Sequence, residues 1–359
     1  MSPTFENPQT PAPATPRRGF VRRWARRIAL TMSVLVALGT TGWAGLAVYF
    51  ADTHTGPRPF AAAVVVLLMT AAAVLVRPRL FGAVAFMALF GTVLAWFFSL
   101  SPSNDRDWAP DVARVPTTTL DGDHLTIRNV RNFDYRSETD FTPAWEDRTY
   151  DLSKVRRVDL LLVHWGSKAL AHAMVSFEFA DGQVLCVSIE TRKERHEAYS
   201  AVEGFFRQYE LIYIFGDERD LVRLRTTFRK EQVYLYRTTL SPAQARAALL
   251  SNARAADALA ARPEFYNALT SNCATNVLNH ARSAWLPGEL SWEILLSGYA
   301  ARKAHRNGHL DASMPFEQLE ARSLVNDAAV DADNDPRFSS LIRAGLPTPP
   351  TSSVAGPGH

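Results

Sequence analysis

The sequence predicts an α+β protein in two parts. A region of three transmembrane helices comes first, followed by an exported domain with an antiparallel sheet and helices grouped behind it. Three observations carry this. Residues 28–100 are almost free of charge, nearly all acidic residues lie after position 100, and beyond residue 122 strand signals mix with separate helical stretches. With 359 residues, 47% hydrophobic and 21% charged, the chain is neither disordered nor fibrous, and its length allows two domains.

Residues 1–27 read as a disordered basic leader facing the cytoplasm. It is rich in Pro, Thr and Ala and ends in Arg17, Arg18, Arg22, Arg23, Arg26 and Arg27. Three apolar runs follow, at about 28–50, 60–76 and 80–100, broken by Asp52–Pro59 and by Arg77-Pro78-Arg79. Each has the length range of a bilayer-spanning helix, the second near its lower limit. A signal peptide with a buried hairpin is the alternative, but the first run is too long for a signal h-region. Arginines flanking a first span are what the positive-inside bias produces, so they do not argue for nucleic acid. The same bias puts residues after 100 outside the cytoplasm, so the chain reads as membrane-anchored with an exported C-terminal domain.

Residues 101–122, with Pro102, Pro110 and Pro116, read as a linker. In the domain at 123–330, strands are expected at 124–130, 157–165, 170–179, 183–190, 211–215 and 232–238. Ala180-Asp181-Gly182 makes a hairpin of the third and fourth. Ser200-Ala-Val-Glu203 is a capping box opening a short helix toward Tyr209. Ser241-Pro242 starts a helix to about Ala261, Pro263 begins another helical stretch, and a last strong helix runs from about Cys273 to Trp285. Residues 331–359 read as a mobile tail.

Two cysteines exclude a disulfide framework and an all-cysteine zinc site. No metal-ligand spacing, P-loop or GxGxxG is present, so no metal or cofactor is expected. The net charge of +3 says little about nucleic acid, because the basic excess is concentrated near the N-terminus.

Thr270-Ser271-Asn272-Cys273 is rich in N-cap residues and sets Cys273 in the first turn of a helix. Orphan N–H groups and the helix dipole there can lower a thiol pKa and hold an oxyanion. A small buried hydrophobe is the plainer reading of the same cysteine. His172 lies on the first hairpin strand. If Asp181 centres a three-residue turn, position i faces 362 − i, and His172 faces Glu190, a carboxylate able to orient it. A two-residue turn would instead oppose His172 with Thr191 and send Glu190 to the other face. His164 and Cys186 read as core, His196, His305 and His309 as solvated, and 217–225 as a charged helical face. A disulfide between Cys186 and Cys273 would remove the thiol.

Here the sequence resembles a known family. His172-Ala-Met-Val-Ser-Phe-Glu-Phe, Val187-Ser-Ile-Glu-Thr-Arg-Lys-Glu194, Phe206-Arg-Gln-Tyr-Glu-Leu-Ile-Tyr, Gly216-Asp-Glu-Arg-Asp, Val233-Tyr-Leu-Tyr and Pro263-Glu-Phe-Tyr-Asn followed by Ser271-Asn-Cys-Ala-Thr-Asn276 resemble the periplasmic domain family of the bacterial lipoprotein intramolecular transacylase. The likeness spans roughly residues 125–325. It implies a permuted papain-like fold related to the NlpC/P60 cysteine hydrolases, with histidine before cysteine. It further implies Cys273 as nucleophile, His172 as base, Glu190 as orienting residue and Asn272 as support for the thiol or oxyanion site. The expected function is a membrane-anchored thiol acyltransferase or hydrolase acting on an envelope ester or amide, with membrane lipid or lipoprotein as substrate. A cysteine peptidase or cell-wall amidase, and a non-catalytic membrane-anchored interaction domain, are the alternatives.

Overall fold

The computed structural model describes residues 17–51, 58–268, 270–283 and 291–350. It forms two compact units, Met1–Leu100 and Ser101–His359.

The first unit contains helices α1 (Arg17–Phe50), α2 (Arg58–Val74) and α3 (Arg79–Ser99). Arginine is a good helix former, so the arginine cluster joins α1 instead of ending a disordered leader; residues 1–16 lie outside the described residues. Val21–Phe50 and Arg79–Ser99 are long and apolar enough to cross a membrane. α2 has 17 residues and reaches about 26 Å at 1.5 Å per residue, short of a hydrocarbon core of about 30 Å. Two of the three expected spans are thus long and apolar enough to cross a membrane, and the remaining run, α2, forms a shorter apolar helix. Most of the expected break at 52–59 lies outside the described residues. Trp43 packs edge-on against Phe90 and Phe97, with centroids 5.9 and 5.1 Å apart. Gly45 lets α1 approach α2, since a Cβ there would sit 2.7 Å from Val66.

Among the described residues the second unit holds the strands β1 (Thr117–Asp121), β2 (His124–Arg131), β3 (Asp134–Tyr135), β4 (Phe141–Thr142), β5 (Trp145–Asp151), β6 (Val155–His164), β7 (Ala171–Phe179), β8 (Val184–Arg192), β9 (Glu210–Gly216) and β10 (Gln232–Arg237). The main sheet runs β1-β2-β9-β8-β7-β6-β10, with β5 also on β2, and β3 pairs β4 separately. Its pairs are antiparallel except β2 with β9, which meet in parallel at Arg131 and Gly216. The sheet is therefore mixed, not antiparallel. β2 and β9 are joined by a long connection, which a parallel pair requires and a hairpin cannot supply.

The helices are α4 (Glu218–Arg223), α5 (Pro242–Ala261), α6 (Cys273–Ser283), α7 (Trp292–Leu295), α8 (Ala300–Arg306), α9 (Phe316–Ser323), α10 (Asn326–Ala332) and α11 (Phe338–Leu341). They cover both sheet faces instead of grouping behind one. Phe177, Val187, Tyr213 and Phe215 pack under α5 and α6. Leu161, Met174, Ile212 and Ile214 pack under α4, α10 and α11. Alternation along each strand assigns the faces, because successive side chains point to opposite sides.

Several segments depart from expectation for local reasons. Residues 101–122 are not a free linker: Trp108 and Val112 are buried, and β1 pairs β2. The capping box at 200–203 is half made, because Glu203 turns to the Tyr209 hydroxyl and only a 3-10 turn, Glu203–Phe205, forms. At Ser241 the box is complete. After Pro263 the chain stays extended, bridging Phe265 to Glu210. Residues 217–225 turn their charges inward. Asp220 accepts from Arg131 Nε and Nη2 at 2.9 and 2.8 Å, and Glu218 accepts from both Arg343 Nη atoms at 2.7 Å. That pairing also fixes 331–350 of the expected tail, where Phe338 and Ile342 are buried; 351–359 lie outside the described residues.

Candidate active site

The site begins with the β7–β8 hairpin. Gly182, at φ +87°, closes the three-residue turn in the left-handed conformation that glycine tolerates. Met174 pairs Ser188 and Val175 pairs Val187, which is the 362 − i register. The ladder between β7 and β8 ends at Met174 and Ser188, although β7 continues on β6 to Ala171 and β8 continues on β9 to Arg192. The sheet thus parts between His172 and Glu190.

Across this gap His172 Nε2 lies 2.7 Å from Ser188 Oγ, and Ser188 Oγ donates to Glu190 Oε1 at 2.7 Å. His172 Nε2 and Glu190 Oε1 are 3.8 Å apart, so the carboxylate reaches the imidazole through the serine. Since the single serine proton goes to Glu190, His172 must donate from Nε2–H, which leaves Nδ1 as a free base. Glu190 also pairs with Arg225 at 3.0 Å, and Arg225 with Glu231 at 3.2 Å.

Cys273 comes from the other sheet face, at the start of α6. The start is fixed by Asn272, whose Oδ1 accepts from Thr275 N at 2.9 Å and whose Nδ2 donates to Ala268 O at 2.7 Å. Asn272 is therefore a buried N-cap residue, spent on the backbone. Cys273, His172 and Glu190 line one pocket of about 600 Å3 with Arg225, Tyr199 and Tyr266. Trp165, 42% exposed, and Tyr199, 49% exposed, stand at its rim. The start of β7 is pinned by Ser297, whose Oγ accepts from Ala171 N at 3.0 Å and donates to Ala171 O at 2.6 Å.

Burial governs the protonation states. It pushes the Cys273 thiol up, against the backbone N–H groups of Ala173 and Ala274 and the charge of Arg225, which favour the thiolate. It pushes His172 down to about 3, with Arg225 adding to the shift and Glu190 opposing it. Burial alone would raise Glu190, but Arg225 and His172 hold its carboxyl well below the usual range. Both groups therefore rest neutral, and the thiol is raised instead of lowered as expected from the helix N-terminus. A half-buried sulfur in an apolar wall loses more by desolvation than one helix turn returns.

The other candidates sit elsewhere. Cys186 is buried in the core of the opposite sheet face, and both cysteines are free thiols. His164 is half-buried, with Nδ1 lacking a hydrogen-bond partner, and His196 is exposed. His305 and His309 are half-buried, not solvated, and His305 bonds Met314 O. Among the described residues no group of His, Cys, Asp and Glu is arranged to hold a metal. Ser188 and Arg225 were not singled out from the sequence. Ser188 carries a signal, standing two residues before Glu190 on the same face; Arg225 was hidden in a run that reads as solvated.

Residues 141–310 match the Lnb N-terminal periplasmic domain. This is the family that the sequence motifs resemble, and the Lnb segment encloses His172, Glu190, Asn272 and Cys273. With the N-terminal apolar helices, it makes the chain a membrane protein with a periplasmic domain. No curated protein and no solved structure matches the chain.

Proposed function

We propose that the Lnb domain is the periplasmic part of a lipoprotein-modifying enzyme, and that it works as a thiol acyltransferase through Cys273 and His172. The observation that carries this is the convergence of Cys273, His172 and Glu190 on one pocket from two sheet faces. In the proposed reaction Cys273 Sγ attacks a carbonyl carbon of an envelope ester or amide while its proton passes to His172 Nδ1. The N–H groups at the start of α6 hold the tetrahedral oxyanion. As the adduct collapses, the bond to the leaving alcohol or amine breaks and the leaving group takes the proton from His172. An acceptor amine or water then attacks the thioester and gives its proton to His172, which returns it to the departing sulfur.

Ser188 and Glu190 are positioning residues in this scheme, holding the imidazole in the tautomer with Nδ1 free. A permuted papain-like relationship fits the order His172, Glu190, Cys273. The neutral resting pair calls for general-base attack, with the ion pair formed only as the substrate reacts. The two candidate spans suit a substrate held at the membrane.

The test is acyl transfer by the full chain in detergent, supplied with radiolabelled phospholipid, with lipoprotein, or with peptidoglycan fragments. Transfer from a lipid or lipoprotein donor, lost in Cys273→Ser with an unchanged circular dichroism spectrum, is expected. Transfer that persists in the variant removes Cys273 from the mechanism, and turnover of peptidoglycan alone makes the protein an amidase.

A further inference from the structure

Among the described residues, the exported domain shows large apolar side chains to solvent mainly at one end. Trp165, Leu170, Tyr199, Phe205, Trp292 and Leu295 are each between 41% and 60% exposed. The sheet register brings them together. His164 pairs Ala171 and Arg192 pairs Glu210, so β6 and β8 finish where β7 and β9 begin. Trp165 and Leu170 fall in the β6–β7 connection, and Tyr199 and Phe205 in the β8–β9 connection. Trp292 and Leu295 join them because Ser297 bonds Ala171, Gly298 N donates to Ala169 O at 3.1 Å, and Trp292 packs edge-on against Tyr299. At the other end, the β7–β8 turn exposes Asp181, Gly182 and Gln183, with Lys154 Nζ 3.4 Å from Asp181.

The chain enters the domain at the end that carries these aromatic side chains. α3 stops at Ser99, and the Ser103 N–H already donates to Glu210 Oε1 at 3.0 Å. Asn104 Nδ2 donates to the Leu259 and Ala260 carbonyls at 3.1 and 3.0 Å. The stretch from Ser99 to Ser103 reaches at most about 14 Å when fully extended. A candidate span on so short a tether keeps this end of the domain close to a bilayer surface.

We propose that this end of the domain rests in the bilayer interface, with Trp165, Leu170, Tyr199, Phe205, Trp292 and Leu295 inserted among the lipid headgroups. Tryptophan and tyrosine favour that depth, because their rings are apolar while their polar tips stay wet. Leucine and phenylalanine reach further, toward the acyl boundary. Exposed charges at this end are of both signs, Lys168 and Arg262 beside Asp105 and Glu264, so the attraction is apolar and a zwitterionic bilayer suffices. Trp165 and Tyr199 also line the pocket of Cys273, so docking brings that pocket to the lipid surface. The proposal stands apart from the acyl-transfer reading, and its test needs no turnover.

The full chain is placed in phosphatidylcholine nanodiscs, with Cys186→Ala and Cys273→Ala removing the native thiols. A bimane label is attached through Leu170→Cys, Tyr199→Cys, Phe205→Cys or Leu295→Cys, and through Asp181→Cys as a reference about 25 Å away along β7. These positions are exposed, and an unchanged circular dichroism spectrum checks each variant. Phosphatidylcholine spin-labelled near its headgroup should quench the four labels at least about twofold more than the reference, since interfacial residues lie about 5–10 Å into the headgroup boundary. Iodide in the water should quench the reference more than the four. A label quenched by lipid no more than the reference removes its residue from the interface, and that result at all four overturns the proposal. Labels shielded from both quenchers would overturn it as well, by showing that protein covers the patch.

Discussion

At the scale of single residues, the chemistry turns on where protons sit. With the thiol pushed up and His172 pushed down to about 3, alkylation of Cys273 by a small reagent should climb with pH above about 8.5, the ordinary thiol value. It should show no acidic shoulder, because a thiolate–imidazolium pair is not populated near neutrality; a plateau extending below pH 6 would contradict this. Ser188→Ala removes the link that fixes the tautomer. It should lower kcat by about tenfold to a hundredfold, inside the span of about 10²–10⁴ that a positioned base supplies, with KM little changed. Ser188→Thr, which keeps the hydroxyl, should restore part of the rate. A serine that merely packs would move neither kcat nor its recovery. The His172–Glu190 relation was legible in the sequence through the hairpin turn. The intervening serine and the counter-charge of Arg225 were not, because one depends on side-chain reach and the other on a helix folding onto the sheet from far along the chain.

At the scale of elements, the site exists because two ladders end at different heights. β7 stays on β6 and β8 on β9 after they have left each other, and Cys273 and His172 line one pocket at that end of the ladder. Strand patterns announce both strands but not where their pairing stops. The start of β7 is held by Ser297, and the neighbouring Gly298 allows that closeness, since a Cβ there would fall 2.0 Å from Lys168 O. Gly298→Ala should therefore cost about 1–3 kcal/mol, the usual range for overpacking. Chemical denaturation of the full chain in detergent measures it, and an unchanged midpoint would show that the loop yields freely. Helix starts were legible where caps are local, as at Ser241 and Asn272. They failed at Ser200 and Pro263, where Glu203 and the chain after Pro263 find partners on Tyr209 and β9 instead.

At the scale of the whole molecule, the C-terminal stretch is tied into the sheet by buried charge. Arg343, 6% exposed at its side chain, pairs with Asp159 and Glu218, both 0% exposed. Burial raises Asp159 to about 7 even with this partner. Arg343→Ala strands Glu218 and leaves Asp159 with Arg237 alone, and removing one member of a buried pair costs about 3–5 kcal/mol. Both acids can escape by taking protons, which the folded variant then binds more tightly than the unfolded chain does. Its stability deficit should therefore be larger at pH 8 than at pH 5. Equal deficits at both pH values, measured by thermal unfolding of the full chain, would show that the carboxylates are otherwise satisfied.

The sequence by itself determined the division into an apolar N-terminal region and a mixed domain, the main strands, and the motifs that place the family. These follow from local composition, turn chemistry and spacing, which are properties of neighbouring residues. Only the tertiary structure decided that the sheet is mixed and that helices cover both faces. It also decided that the charged run at 217–225 faces inward and that Cys273 and His172 line one pocket where the sheet parts. Each of these depends on contacts between residues far apart in sequence, where burial reverses what a charge or a thiol does in water.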